Sequence, residues 1–366
     1  MEKKSAKLAL IVLFLAALYL PFALWAGLGS RLTGENRENR TLAEWPAFDL
    51  SRLSALPGQY EKYFNDHLPF RSPLISLHAE LSSRLFDTSS SDSVILGKED
   101  WLFYSRINDG DPAASYRGED LFTMPELRQI AADLCATRDA LKKRGIEFVL
   151  FIAPNKERMY AEYMPDRYGP PAEEYAARQL ADFLRKRTDL RVVYPYEELM
   201  EAKAAFPDLP LYYSNDTHWN GIGAYVGARA LLAELGVSLP PLSRENISQT
   251  ADGYVGDLAD MLNITRTAAQ YTVSVPGAAS FKTAETEDSP VLVTSTGRES
   301  GRLFLRRDSF GEAMIPYLAP WFSHAAYVNT LEYDQAQADE ARPTVYVMEV
   351  VERYLHKRLT KGPLYE

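Results

Sequence analysis

Six consecutive apolar residues, Phe148-Val149-Leu150-Phe151-Ile152-Ala153, stop at Pro154. A strand with one wet face alternates apolar and polar side chains, so an unbroken run marks a strand covered on both faces. Such a strand needs a layer above it and another below. A helix-like stretch from Ala172 to Arg187 follows, and then the β-prone run Arg191-Val192-Val193-Tyr194. Strand, helix and strand in that order form a β-α-β unit, which implies parallel pairing. The expected fold class is α/β, with a mainly parallel sheet flanked by helices.

The rest of the chain is consistent with that class. With 366 residues, 46% of them hydrophobic, there is enough apolar material for one large or two modest cores. Leu303 to Arg307, Ala325 to Asn329 and Thr344 to Val351 repeat the apolar-strand pattern. Met124 to Arg144, stopped by Gly145, and Asn220 to Gly236, with Asn220 as N-cap, are expected helices. Val94 to Tyr104 forms two apolar runs around a polar turn, the pattern of a hairpin, and Leu53 to Leu85 suggests two short helices broken at Pro69 and Pro73. Turn-rich sequence from about residue 239 to 302 is expected to be an insertion of strands and loops. These features divide the chain into residues 1–30, a linker and short helical segment at 31–92, and a main domain at 93–366.

Leu8 to Leu28 is uncharged and follows Lys3, Lys4 and Lys7. About 20 apolar residues span the hydrocarbon core, so a membrane helix is expected here. The flanking lysines place the N-terminus in the cytoplasm and the remaining chain outside. A cleaved signal peptide is the competing reading, though its apolar region is usually only about 7 to 15 residues. A net charge of -10 and no long basic run exclude a nucleic-acid surface. The single cysteine, Cys135, rules out an internal disulfide, and the five histidines show no HxH or HExxH spacing, so no metal or other cofactor is expected.

Two short motifs supply a hydroxyl, an imidazole and a carboxylate. Asp216-Thr217-His218-Trp219-Asn220 precedes one expected helix, and Arg307-Asp308-Ser309-Phe310-Gly311 ends the run Leu303-Phe304-Leu305. Residues two apart share a side in extended chain but lie about 200° apart on a helix, so Asp216 and His218 belong in a loop or extended turn. In the chemistry these groups permit, Asp216 orients His218 through one ring nitrogen while the other takes the Ser309 proton. Each half also has a plainer use. The first is an Asx-turn with a passive histidine, and the second is an S-x-x-E capping box from Ser309 to Glu312. A strand-to-helix turn also gathers N–H groups that can receive an oxyanion, and Gly311 leaves room beside it for an acyl group.

Several pieces occur together in order: Phe64-Asn65-Asp66-His67-Leu68-Pro69-Phe70-Arg71, Gly97-Lys98-Glu99-Asp100-Trp101-Leu102-Phe103-Tyr104, Ala153-Pro154-Asn155-Lys156, the two motifs above, Gly256-Asp257-Leu258 and Glu349-Val350-Val351-Glu352-Arg353. As a set they resemble the SGNH-hydrolase-like polysaccharide O-acetyltransferases of the alginate type, over most of the chain from about residue 60 onward. The resemblance implies an SGNH-hydrolase-like fold and a catalytic triad of Ser309, His218 and Asp216. It also implies a serine acetyl-enzyme that passes acetyl to a hydroxyl of an extracytoplasmic polysaccharide. A membrane-bound O-acyltransferase supplying the acetyl groups is the implied partner. The implied setting is the bacterial inner membrane, crossed once, with the catalytic domain in the periplasm.

Four further residues accompany this picture. Asn155 follows the strand end as a candidate oxyanion donor or a turn cap, and Lys156 as a substrate contact or a solvated lysine. Arg353 either meets substrate or pairs with Glu349, and Gly311 borders the acyl site. Asp66-His67 imitates a catalytic pair, but its place near the N-terminus suits a structural hydrogen bond. Two other functions compete: a carbohydrate esterase using the same triad with water as acceptor, and a non-catalytic polysaccharide-binding or assembly protein in which Ser309 only caps a helix. A serine hydroxyl beyond about 6 Å from His218 would favour the last, since proton transfer needs roughly 2.6 to 3.2 Å.

Overall fold

The computed structural model describes residues 7–8, 10–16, 18–20, 23, 41–47, 54–67, 71–86, 88–106, 109–285, 290–362 and 365. By its contacts the chain separates into two units, Met1–Ser91 with Ala259–Thr265, and Asp92–Leu258 with Arg266–Glu366.

In the first unit, α1 (Leu56–Asp66) and α2 (Arg71–Phe86) stand where two helices were expected, but Pro73, expected as a break, lies in the first turn of α2. Pro57 sits in the first turn of α1, where its missing N–H has no helical partner to lose. Trp45 packs edge-on against Tyr60 and Tyr63, at ring distances of 5.5 and 5.0 Å. Asp66 Oδ2 accepts from Ala43 N at 2.8 Å, and His67 Nδ1 lies 2.9 Å from the Tyr63 carbonyl. Asp66 and His67 therefore serve local structure.

The membrane helix expected over Leu8 to Leu28 is not found. Among the described residues no helix is long and apolar enough to cross a membrane. Residues 9, 17, 21–22 and 24–28 of that run lie outside the described residues, and the described helical positions end at 23.

The second unit opens with the hairpin of β1 (Val94–Leu96) and β2 (Leu102–Tyr104), in register Val94 to Tyr104. Helix α3 (Met124–Lys143) starts at a capping box in which Thr123 and Glu126 satisfy each other's backbone N–H groups. The elements that build the sheet and frame its edge are β3 (Glu147–Ala153), α4 (Ala176–Arg187), β4 (Arg191–Val193), α5 (Gly221–Glu234), β5 (Ile247–Val255), α6 (Asp257–Leu262), β6 (Thr267–Val273), β7 (Lys282–Glu285), β8 (Val291–Ser295), β9 (Arg302–Arg307), α7 (Ser309–Leu318), β10 (His324–Asn329) and β11 (Val345–Val351).

Seven strands form one sheet in the order β4-β3-β11-β9-β10-β8-β7. The first five are parallel, as expected, and β8 and β7 add to them antiparallel. Only residues 286–290 separate β7 from β8, too few for a parallel crossover of roughly a dozen or more. The sheet is therefore mixed. Within the stretch expected as an insertion, β5 and β6 make a separate antiparallel ribbon, while β7 and β8 extend the main sheet.

The apolar run that opened the sequence analysis divides between two cores. Val149, Phe151 and Ala153 enter one, and Phe148, Leu150 and Ile152 the other. Side chains of α5 and α7 cover the first face, among them Ile222, Tyr225, Leu231, Phe310 and Met314. The second is covered from α3 and α4 by Leu127, Ile130, Leu134, Leu180 and Leu184. Burying each large apolar side chain contributes about 1.5–3 kcal/mol, so both layers anchor β3 firmly. Parallel strands β3, β11 and β9 are neighbours, so Asn155, Arg353 and Ser309, which follow them, emerge along one carboxyl edge of the sheet. Ligands of open α/β sheets bind outside that edge.

Candidate active site

Asp216 and His218 stand in a loop closed by an antiparallel bridge between Tyr212 and Trp219. Tyr213 N donates to His218 O at 3.2 Å, and Asn220 N to Leu211 O at 2.8 Å, after which α5 begins. The Asn220 side chain caps that helix by accepting from Ile222 N and Gly223 N. From beneath, the Lys156 ammonium donates to Leu102 O at 2.6 Å, Ser214 O at 3.0 Å and Asp216 O at 2.8 Å. Lys156 is 1% exposed and lies over the Trp101 and Phe103 rings. Burial pushes its ammonium down to about 7, against the opposing charges of Glu157, Asp216 and Asp257. Its three N–H donors are committed to carbonyls. Lys156 is thus neither solvated nor a substrate contact; it is a strut that ties the Asp216 loop to β2.

Asp216 is 2% exposed, and its carboxylate accepts four hydrogen bonds. Oδ1 takes His218 Nδ1–H at 2.6 Å and His218 N–H at 2.9 Å. Oδ2 takes the Tyr254 hydroxyl at 2.7 Å and Asp257 N–H at 3.0 Å. Burial would raise this carboxyl, but the His218 hydrogen bond and charge, with the two amides, outweigh it and hold the group below the usual carboxylate range. Because Nδ1 gives its proton to Asp216, Nε2 is left with a lone pair for Ser309 Oγ, which lies 2.6 Å away.

Ser309 is the first residue of α7 and is exposed. The expected capping box does not form, because the N-cap is Asp308, whose Oδ1 accepts from Phe310 N at 2.8 Å. Asp308 Oδ2 also accepts from Val351 N at 2.7 Å, pinning the turn to the end of β11. Glu312 pairs with Arg307 at 3.1 Å instead of capping. Since another residue caps the helix, the Ser309 hydroxyl is available to His218. The Trp219 indole N–H joins the two motifs by donating to Phe310 O at 3.1 Å.

Gly311 has a different role from the one expected. A Cβ there would lie 2.7 Å from Arg307 Cβ and 2.8 Å from Glu349 Oε2, so the glycine lets α7 settle onto buried Glu349. Glu349 Oε2 in turn accepts from Asp308 N at 2.8 Å, and burial together with the Asp308 charge raises its carboxyl well above the ordinary range. Arg353 forms no ion pair with Glu349; its guanidinium lies over the rings of Tyr104, Phe310 and Tyr354, at 5.7, 5.3 and 5.1 Å. Asn155 is 1% exposed, donates its N–H to Glu352 Oε2 and accepts from Arg353 N. Its side-chain Nδ2 has no acceptor among the described residues.

Sequence reasoning gave no role to Tyr254 or Asp257. Both come from the turn-rich stretch after α5, and the one signal for them was the Gly256-Asp257-Leu258 piece of the resemblance. Gly256 is required by a close approach, since a Cβ there would lie 2.4 Å from Asp216 Cβ. The Asp257 carboxylate accepts from Thr217 N at 2.8 Å and from the Thr217 hydroxyl at 2.6 Å. Burial and the Asp216 charge raise its carboxyl, and the same two influences raise the Tyr254 phenol. Among the described residues, Asp216, His218 and Asp257 have metal-ligand spacing, but the atoms concerned are engaged in the hydrogen bonds just given.

The family described as SGNH hydrolase-like domain, acetyltransferase AlgX, matches residues 94–309. A probable alginate O-acetylase AlgJ of Pseudomonas syringae pv. tomato is 29% identical over 184 residues, 49% of this chain and 42% of that protein. The protein of the same name in Pseudomonas aeruginosa is 24% identical over 314 residues, 82% of this chain and 73% of its own length. The match thus spans less than half of the first relative. Among solved structures, Bacillus cereus PatB1 superposes with a TM-score of 0.55 at 15% identity, over 74% of this chain and all of that one, which is a likeness of fold. With more than half of its length matched, and its five-stranded parallel core bearing Ser309 beside His218, the chain belongs to the SGNH hydrolase-like family of the acetyltransferase AlgX type.

Proposed function

We propose that this protein is an O-acetyltransferase that moves acetyl from a donor ester to a hydroxyl of a polysaccharide through an acetyl-Ser309 intermediate. The observation that carries the reading is the line of hydrogen bonds from Asp216 Oδ1 through both nitrogens of His218 to Ser309 Oγ, 2.6 Å at each step. Attack of Oγ on the acetyl carbonyl sends the serine proton to Nε2, and Asp216 steadies the imidazolium that results. Collapse of the tetrahedral adduct breaks the bond to the donor alcohol, which leaves with that proton. A sugar hydroxyl then attacks acetyl-Ser309, giving its proton to Nε2, and Ser309 Oγ recovers the proton as it departs.

Asn155 offers a buried amide donor that lacks an acceptor among the described residues, at the strand edge shared with Ser309, which supports an oxyanion role. Arg353, lying over Phe310, supports contact with substrate beside the nucleophile. The names of the relatives, probable alginate O-acetylases, support a polysaccharide acceptor. The proposed setting is outside the cytoplasm, in the periplasm beside the inner membrane. A membrane-bound O-acyltransferase is the proposed source of acetyl.

Incubation with p-nitrophenyl acetate and an oligosaccharide, followed by intact-mass analysis, tests the reading. Acetyl is expected on wild-type protein and then on sugar, and on neither with Ser309→Ala. Release of acetate alone in the presence of the sugar would make the protein an esterase. Labelling of Ser309→Ala equal to wild type would remove the acetyl-serine step.

A further inference from the structure

The ring nitrogen of His218 that faces away from Ser309 has two neighbouring acceptors. Asp216 Oδ1 lies 2.6 Å from Nδ1, and Thr217 Oγ1 lies 3.2 Å from it. A threonine hydroxyl has one proton, and Asp257 Oδ2, 2.6 Å away, accepts it. The lone pairs of Oγ1 are therefore left for Nδ1–H. Asp257 Oδ2 is itself 3.8 Å from Nδ1. Two backbone bonds fix this carboxylate and its loop: Thr217 N–H to Asp257 Oδ1 at 2.8 Å, and Asp257 N–H to Asp216 Oδ2 at 3.0 Å.

We propose that Asp257 and Thr217 are positioning residues for His218, forming a second carboxylate arm that reaches Nδ1 through the threonine hydroxyl alongside the direct arm of Asp216. The geometry stands by itself, while its effect on rate rests on the acetyl-serine reading. A forked acceptor at Nδ1 holds both the ring rotation and the tautomer that leaves Nε2 open to Ser309. When Nε2 takes the serine proton, both carboxylates face the imidazolium. A plainer role exists for Asp257, that of a cap for the Thr217 amide. That role needs no hydroxyl at 217, and the two can be separated by substitution.

Thr217→Val keeps the amide bond to Asp257 and removes the hydroxyl, whereas Thr217→Ser restores it. The first readout is the Nδ1 proton of His218, observed by NMR on protein labelled with 15N-histidine and assigned with His218→Ala. Its resonance is expected to move in Thr217→Val and Asp257→Asn and to stay near wild type in Thr217→Ser. The second is turnover of p-nitrophenyl acetate. In Thr217→Val kcat is expected to fall about tenfold with KM unchanged, a part of the roughly 10²- to 10⁴-fold that positioned acid–base catalysis supplies. Thr217→Ser is expected to recover it. Asp216→Asn is expected to keep residual turnover that Asp216→Asn/Thr217→Val loses. An unmoved Nδ1 proton and unchanged kcat in a folded Thr217→Val protein overturn the relay and leave Asp257 as a turn cap. If the proton moves while Ser309→Ala captures acetyl like wild type, the relay stands and the acetyl-serine reading fails.

Discussion

Ser309 Oγ and His218 Nε2 lie 2.6 Å apart across 91 positions of sequence, and the helix that Ser309 begins is capped by Asp308. Chemistry and capping therefore fall to adjacent residues. Ser309→Ala is expected to lose acetyl capture while its stability stays within about 0.5 kcal/mol of wild type, as for an exposed site without a structural bond. Asp308→Ala removes the cap and leaves Val351 N without its acceptor, and is expected to cost about 2 kcal/mol. Chemical denaturation of both variants beside intact-mass labelling checks the contrast.

The Tyr254 hydroxyl fills one of four places around the Asp216 carboxylate. A hydrogen bond to a charged group contributes about 1.5 kcal/mol or more, so Tyr254→Phe is expected to slow ester turnover roughly tenfold with the fold retained. Steady-state kinetics with p-nitrophenyl acetate would show this. Wild-type rates in that variant would leave the β5–β6 ribbon without a part in the site.

Lys156→Met keeps most of the buried stem but removes the ammonium donor from Leu102 O, Ser214 O and Asp216 O, of which Ser214 O keeps the Leu102 N–H. A loss of about 3 kcal/mol is expected. The pH dependence has a definite sign. Burial lowers the ammonium from 10.5 to about 7, so between those values the unfolded chain holds more protons than the folded one. The penalty for burying the charge is fully present below about pH 7, and it is relieved as pH rises through that window. Urea titrations at several pH values should show this rise in wild type and its absence in Lys156→Met.

Gly311→Ala places a methyl group 2.7 Å from Arg307 Cβ and 2.8 Å from Glu349 Oε2. Relief requires a shift of α7 or of Glu349, at a cost of about 1–3 kcal/mol. Because Ser309 rides on the same turn, kcat is expected to fall along with the melting temperature. A full rate in a destabilised protein would show that the turn absorbs the methyl without moving the hydroxyl.

Periodicity and caps made the elements legible. The unbroken run at Phe148 to Ala153 announced a strand buried on both faces, Gly145 marked the stop of α3, and Asn220 marked the start of α5. The antiparallel edge of β7 and β8 was hidden because short β-prone pieces do not declare the sheet they join. The apolar N-terminal run raised an expectation of a membrane helix that the described residues do not carry.

The sequence by itself determined the alternation of strands and helices, the extended turn at Asp216 to His218 and the residue types available for acyl chemistry, because each follows from neighbours within a few positions. Tertiary structure decided the rest. It inserted β11, the last strand in the chain, between β3 and β9, bringing Asn155, Arg353 and Ser309 to one edge. It selected Asp308 over Ser309 as cap, buried Lys156 beneath the Asp216 loop, and drew in Tyr254 from the β5–β6 ribbon and Asp257 from the start of α6. Those outcomes depend on strand order and packing between segments far apart in the chain, and no local pattern encodes either.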